Sequence, residues 1–158
     1  MTKIDKHKLY LHVEVPCVEY EVTSEGRGIT KARYFAKVYL QEFPNRRIMR
    51  VLSHLLAESN KKCNEVFKDL KYSTDTRGHY SGWAEDVIVR NHEDDEYNEE
   101  VGKKAVLAKV EVKSLKVYRR LINEMYEIGR NALLDLQHKN HKSSREIAKQ
   151  KEFIKKKF

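Results

Sequence analysis

Residues 101–113, VGKKAVLAKVEVK, are the stretch on which the fold turns. Val101, Ala105, Ala108, Val112 and Leu115 recur at helical spacing. The last four residues, Val110-Glu111-Val112-Lys113, also alternate as a strand would. Two residues apart, side chains share a face on a strand but diverge by about 200° on a helix. The conformation here therefore decides whether Glu111 and Lys113 converge. Helical spacing fits at least as well, and no proline occurs after Val101, so a helix is expected.

That helix continues. Tyr118, Leu121, Ile122, Met125, Ile128, Ala132 and Leu136 extend an apolar stripe, and Gly129 weakens it by about 1 kcal/mol relative to alanine without ending it. Beyond His138 only Ile147, Phe153 and Ile154 stand among lysines. The tail is expected to be helical when docked and frayed otherwise.

Upstream, residues 8–22, KLYLHVEVPCVEYEV, alternate, with Leu9, Leu11, Val13 and Val15 on one side; Pro16 marks a kink or an edge. After the glycine-bearing TSEGRG turn, residues 30–43 alternate again, with Ala32, Tyr34, Ala36, Val38 and Leu40 opposite Arg33, Phe35, Lys37 and Tyr39. An antiparallel hairpin is the expectation. Pro44 then opens an amphipathic helix over 45–70, with Ile48, Val51, Leu52, Leu55, Ser59, Cys63, Val66, Phe67 and Leu70 covering the hairpin. KYSTDTRGHYSG reads as turn-rich, and WAEDVIVRN as a short strand with Trp83, Val87 and Val89 on one side. The expected class is α+β: an N-terminal antiparallel β-hairpin packed on an amphipathic helix, a further short strand, and a long C-terminal helical region with a basic tail. The domain is expected over 1–136 and the tail over 137–158.

At 158 residues the chain has room for one ordinary domain. Apolar residues make up 40%, charged residues 35%, and the mean hydropathy is -0.77; no apolar run is long enough to span a bilayer. The N-terminus lacks the apolar core of a secretory signal, so a cytoplasmic location is expected. Cys17 and Cys63 have no CxxC pairing, and two reduced thiols are expected rather than a zinc site. No cofactor or metal is expected.

The net charge of +8 is unevenly spread. Gln137–Phe158 carries eight Lys/Arg against two acids, whereas Glu93–Glu100 carries six carboxylates and no base. Carboxylates ahead of a helix favour its N-terminal dipole, which makes an acidic cap the expectation for that run. The basic end points to a polyanion, nucleic acid first. The candidate phosphate-binding residues are Arg46, Arg47, Arg50, Lys139, Lys142, Arg145, Lys149, Lys151, Lys155, Lys156 and Lys157. A protein partner, such as a host nucleoprotein, would instead use the stripe through Leu121, Met125, Ile128 and Leu136, and so would a homodimer of the C-terminal helix.

One enzymatic alternative stands beside these. Strand-borne Glu-x-Lys after an upstream Asp is the pattern by which PD-(D/E)xK nucleases hold Mg²⁺ and orient water. Here it would be Asp86, Glu111 and Lys113, with Glu58 completing the set.

Gly78-His79-Tyr80-Ser81-Gly82-Trp83-Ala84, followed by Asp94-Asp95-Glu96-Tyr97-Asn98-Glu99-Glu100-Val101-Gly102-Lys103-Lys104-Ala105, resembles small uncharacterised proteins of low-GC Gram-positive phages and prophages. In those, Gly-x-x-Tyr-x-Gly-x-Ala precedes Asp-Glu-Phe/Tyr-Asp/Asn-x-Glu-x-Gly-Lys-Lys and an alanine-rich helix. The likeness covers about residues 78–112. It departs in the ten or so residues between Ala84 and the acidic run, and in Lys109-Val110 where Arg-Ala is usual. It implies strand, acidic cap and helix, no catalytic residues, and an accessory protein of the host cytoplasm; on the protein-partner reading, inhibition of host defence is one role.

Overall fold

The computed structural model describes residues 1–39, 42–63, 71–75, 78–92 and 98–158; at 53, 57–63, 71–75 and 78–81 it describes the backbone alone. Six described strands form one antiparallel sheet: β1 (Thr2–Lys6), β2 (Leu11–Val15), β3 (Val18–Val22), β4 (Gly28–Tyr39), β5 (Lys71–Asp75) and β6 (Gly78–Arg90). Two helices accompany it, α1 (Arg46–Cys63) and α2 (Glu99–Lys157). The mixed α+β class is as expected.

β4 is the axis of the sheet. Its twelve residues alternate so that Thr30, Ala32, Tyr34, Ala36 and Val38 are buried under α2, while Arg33 and Phe35 face away and are exposed. β6 pairs with it over eleven residues, from Ile29↔Arg90 to Tyr39↔Tyr80. On its other edge β2 and β3 lie end to end, pairing with Phe35–Val38 and Gly28–Ala32. The stretch from 8 to 22 is thus two strands, not one. Pro16 has no N–H to give a ladder, and the chain breaks there. The β3–β4 turn closes through Gly26 at φ +77°, whose N–H donates to the Thr23 carbonyl (2.9 Å), while the Thr23 hydroxyl accepts from Arg27 N–H (3.1 Å).

Two strands were not legible. β1, TKIDK, pairs with β2 from Thr2↔Val15 to Lys6↔Leu11; its three charges suit an edge strand, where they discourage further pairing. β5 comes from the segment read as turn, and pairs with β6 from Lys71↔Gly82 to Asp75↔Gly78.

Both helices bury part of the expected stripe, Leu52 on α1 and Leu121 and Met125 on α2, but elsewhere the buried face is displaced. On α1 the inward residues are Met49, Leu52 and Leu56, whereas Ile48, Val51 and Leu55 are exposed. The predicted end of this helix, 64–70, lies outside the described residues, as does the side chain of Cys63. On α2, Val101 and Val112 are exposed, and the sheet is met by Gly102, Val106, Val110 and Ser114, then Leu121 and Met125. A glycine and a serine let the helix approach the sheet closely, and the serine hydroxyl is satisfied by the Glu111 carbonyl at 2.9 Å. Asn98 caps α2, its Oδ1 accepting from Glu100 and Val101 N–H (3.0 and 3.2 Å). Glu99 and Glu100 sit in the first turn and pair with Lys103 and Lys104, both at 3.0 Å. The rest of the acidic run, 93–97, lies outside the described residues. Tyr34, Trp83, Val87, Val106, Val110, Leu121, Met125 and Leu56 meet in one core.

Candidate nucleic-acid interface

Residues 101–113 are helical, and the three nuclease candidates do not meet. Asp86 lies on the sheet face opposite α2, exposed and 3.7 Å from Arg33. Glu111, on α2, forms an ion pair with Lys6 of β1. Lys113 reaches the other face of β6 and donates to Glu85 at 2.5 Å. Each group is held by a different partner, and the sheet itself separates the aspartate from the other two. The Glu58 side chain lies outside the described residues. Among the described residues no three His, Cys, Asp or Glu side chains cluster so as to hold a metal ion.

What Lys113 builds instead is a polar bridge from α2 into the sheet. Glu85 accepts Lys113 on one oxygen and the Tyr34 hydroxyl on the other (2.8 Å), while Trp83 Nε1 donates to that hydroxyl (3.4 Å). Burial, then the carboxylate beside it, raises the Tyr34 pKa, so the hydroxyl keeps its proton and can donate. Burial would raise Glu85 as well, but the hydrogen bonds from Lys113 and Tyr34 outweigh it and hold the carboxyl below the usual range. A depressed folded-state pKa adds stability that is full above the unfolded value and is lost as pH falls through the folded one. Acid unfolding followed by Trp83 emission should therefore lose a component below the ordinary glutamate range. Glu85→Gln should lack that component and lie nearer the wild type at low pH than at neutral pH. Parallel acid limbs for the two proteins would contradict this.

The basic candidates lie elsewhere. α2 runs unbroken for 59 residues, and from Arg130 to its end every residue is exposed. Packing thus stops at Gly129, where a Cβ would meet Leu52 of α1 at 3.7 Å. Beyond it about 40 Å of helix stands clear of the body, at 1.5 Å per residue. Lys139, Lys142, Arg145, Lys149, Lys151, Lys155, Lys156 and Lys157 are all on this arm. Lys142, Arg145, Lys149 and Lys156 fall on one side of it, and His138, His141, Lys142 and Arg145 line a shared surface. Lys149 and Lys156 are partly offset by Glu146 (3.0 Å) and Glu152 (2.9 Å), in exposed pairs that carry little energy. Arg46, Arg47 and Arg50 are exposed at the start of α1, a separate element.

The four partner candidates divide. Leu121 and Met125 are buried against the sheet and have no surface to offer, and Ile128 is partly buried on the same core. Leu136 is 64% exposed, together with Leu133 and Leu134, which the sequence did not single out. No helix among the described residues is long and apolar enough to cross a membrane. Comparison with family models, curated proteins and solved structures finds no match for the chain.

Proposed function

We propose that this is a non-enzymatic accessory protein of phage type that binds nucleic acid through the cationic side of its C-terminal arm. One observation carries the proposal: a helix about 40 Å long that contributes nothing to the core presents nine Lys/Arg to solvent, Arg130 and the eight candidates of the tail. Conformational order without internal packing needs a use, and a straight helix with lysines at helical repeat suits the regular charge of a nucleic-acid backbone. Recognition of this kind is independent of sequence, since lysine contacts to phosphate position a protein without reading bases. The residue pattern over 78–112 supports the phage assignment, and the host cytoplasm is the compartment it implies.

The test is retention of labelled duplex and single strands over a salt series. Affinity should fall linearly on a log–log plot, with a slope of about -0.9 per phosphate contacted on duplex DNA. Lys142→Ala, Lys149→Ala and Lys156→Ala together should flatten that slope by roughly 2.7. Affinity indifferent to salt would end the proposal.

A second reading, binding to a host nucleoprotein, is favoured by the exposed Ile48, Val51 and Leu55 on α1. Val51→Glu would then abolish capture of the nucleoprotein while leaving binding to naked nucleic acid intact.

A further inference from the structure

Leu133, Asn140, Ile147 and Ile154 recur every seven residues along the arm. The three apolar members are 55–68% exposed, so none of the described residues covers them. On a straight helix a seven-residue repeat drifts about 20° per repeat, and it holds to one seam only where two helices wind around each other. The lysines keep the same period two places on, at 142, 149 and 156, on the outer side of that seam. We propose that the arms of two copies of this chain pair in parallel as a two-stranded coiled coil.

The residues flanking the seam identify the occupant as a second copy. In a parallel pair, the position just before each seam residue meets the partner helix five residues further on. Glu146 then meets Lys151 of the second copy, Phe153 meets Phe158, and Lys139 meets Ser144; no like charges are opposed. Lys151 has no ion pair of its own within the chain among the contacts described. In an antiparallel pair whose arms cross at residue 146, Glu146 would face Glu146. The apolar seam would also lie against the alternate layer of Leu136, Ser143, Gln150 and Lys157, which is mostly polar. Two further features fit two strands: Ile147 and Ile154 are β-branched at the seam, and Asn140 places an amide at one seam position, where it fixes register. The polar alternate layer limits the strength, so the pair dissociates on dilution.

This pairing does not depend on nucleic-acid binding, because the seam and the cationic row of Lys142, Lys149 and Lys156 occupy opposite sides of the arm. It is measured without nucleic acid. Sedimentation equilibrium of the full chain, from about 1 µM to about 0.2 mM, should show the mass rising towards twice the 18.7 kDa of one chain as mass action requires. Ile147→Glu with Ile154→Glu should hold the mass at one chain throughout, and Trp83 emission should report an unchanged body. Lys142→Glu, on the outer side, should still dimerise. Glu146→Lys should weaken the dimer, and adding Lys151→Glu should restore it. A wild-type chain of single mass at the highest concentration overturns the proposal. So does a dimer that survives the Ile147/Ile154 replacement, or one indifferent to Glu146→Lys.

Discussion

Leu121→Ala is expected to destabilise the body by about 2–5 kcal/mol, the cost of a cavity at a fully buried leucine. Leu121 has no accessible surface and sits in the core with Met125, Val110 and the inner side of β4. A domain of this size holds only about 5–15 kcal/mol in total, so the midpoint of urea unfolding should fall steeply. Leu136→Ala makes the control. It lies fifteen residues along the same stripe of the same helix, yet it is 64% exposed and should stay within about 0.5 kcal/mol of wild type. Equal effects at the two sites would mean that the arm folds back onto the body in solution.

Removing residues 131–158 is expected to lower affinity for duplex DNA at low salt by two or more orders of magnitude, because eight of the cations proposed to contact phosphate leave with it. The same truncation should leave the urea midpoint of the body unchanged, since no residue from Arg130 onward is buried. The combination distinguishes the arm from the α1 arginines. If a truncated body still binds as tightly, Arg46, Arg47 and Arg50 carry the contact and the arm does not.

The sequence showed the central β4 clearly, because alternation there is clean and Pro16, Gly26 and Pro44 mark the breaks; of β6 it showed only the half from Trp83 on, since Gly78–Gly82 reads as turn. It showed the helices and the buried stripe from Tyr118 to Ile128, but misplaced much of the buried face of α1 and that of the first turns of α2. Counting apolar side chains favours Val101 and Val112, whereas close packing on a sheet selects Gly102, Val106, Val110 and Ser114, two of which carry no hydrophobic signal. α1 slipped in the same way, since Ile48, Val51 and Leu55 are as apolar as the Met49, Leu52 and Leu56 that do the packing. β1 and β5 escaped notice because edge strands need backbone partners more than apolar side chains. Of the candidate interface, the charge of the tail was legible and its geometry was not. A lysine-rich, sparsely apolar stretch reads as frayed, and its regular seven-residue spacing matters only once the helix is known to run through Gly129 without a break.

That continuity has a mechanical consequence. One rod roots in the sheet beside Val106 and Val110 and ends at Lys157, with no proline or loop to act as a hinge. Whatever grips its far end should slow the tumbling of the whole molecule rather than of a tethered tail. The lone tryptophan, Trp83, is anchored in the body at 7% exposure, and would register that event as a rise in fluorescence anisotropy from the opposite end of the lever.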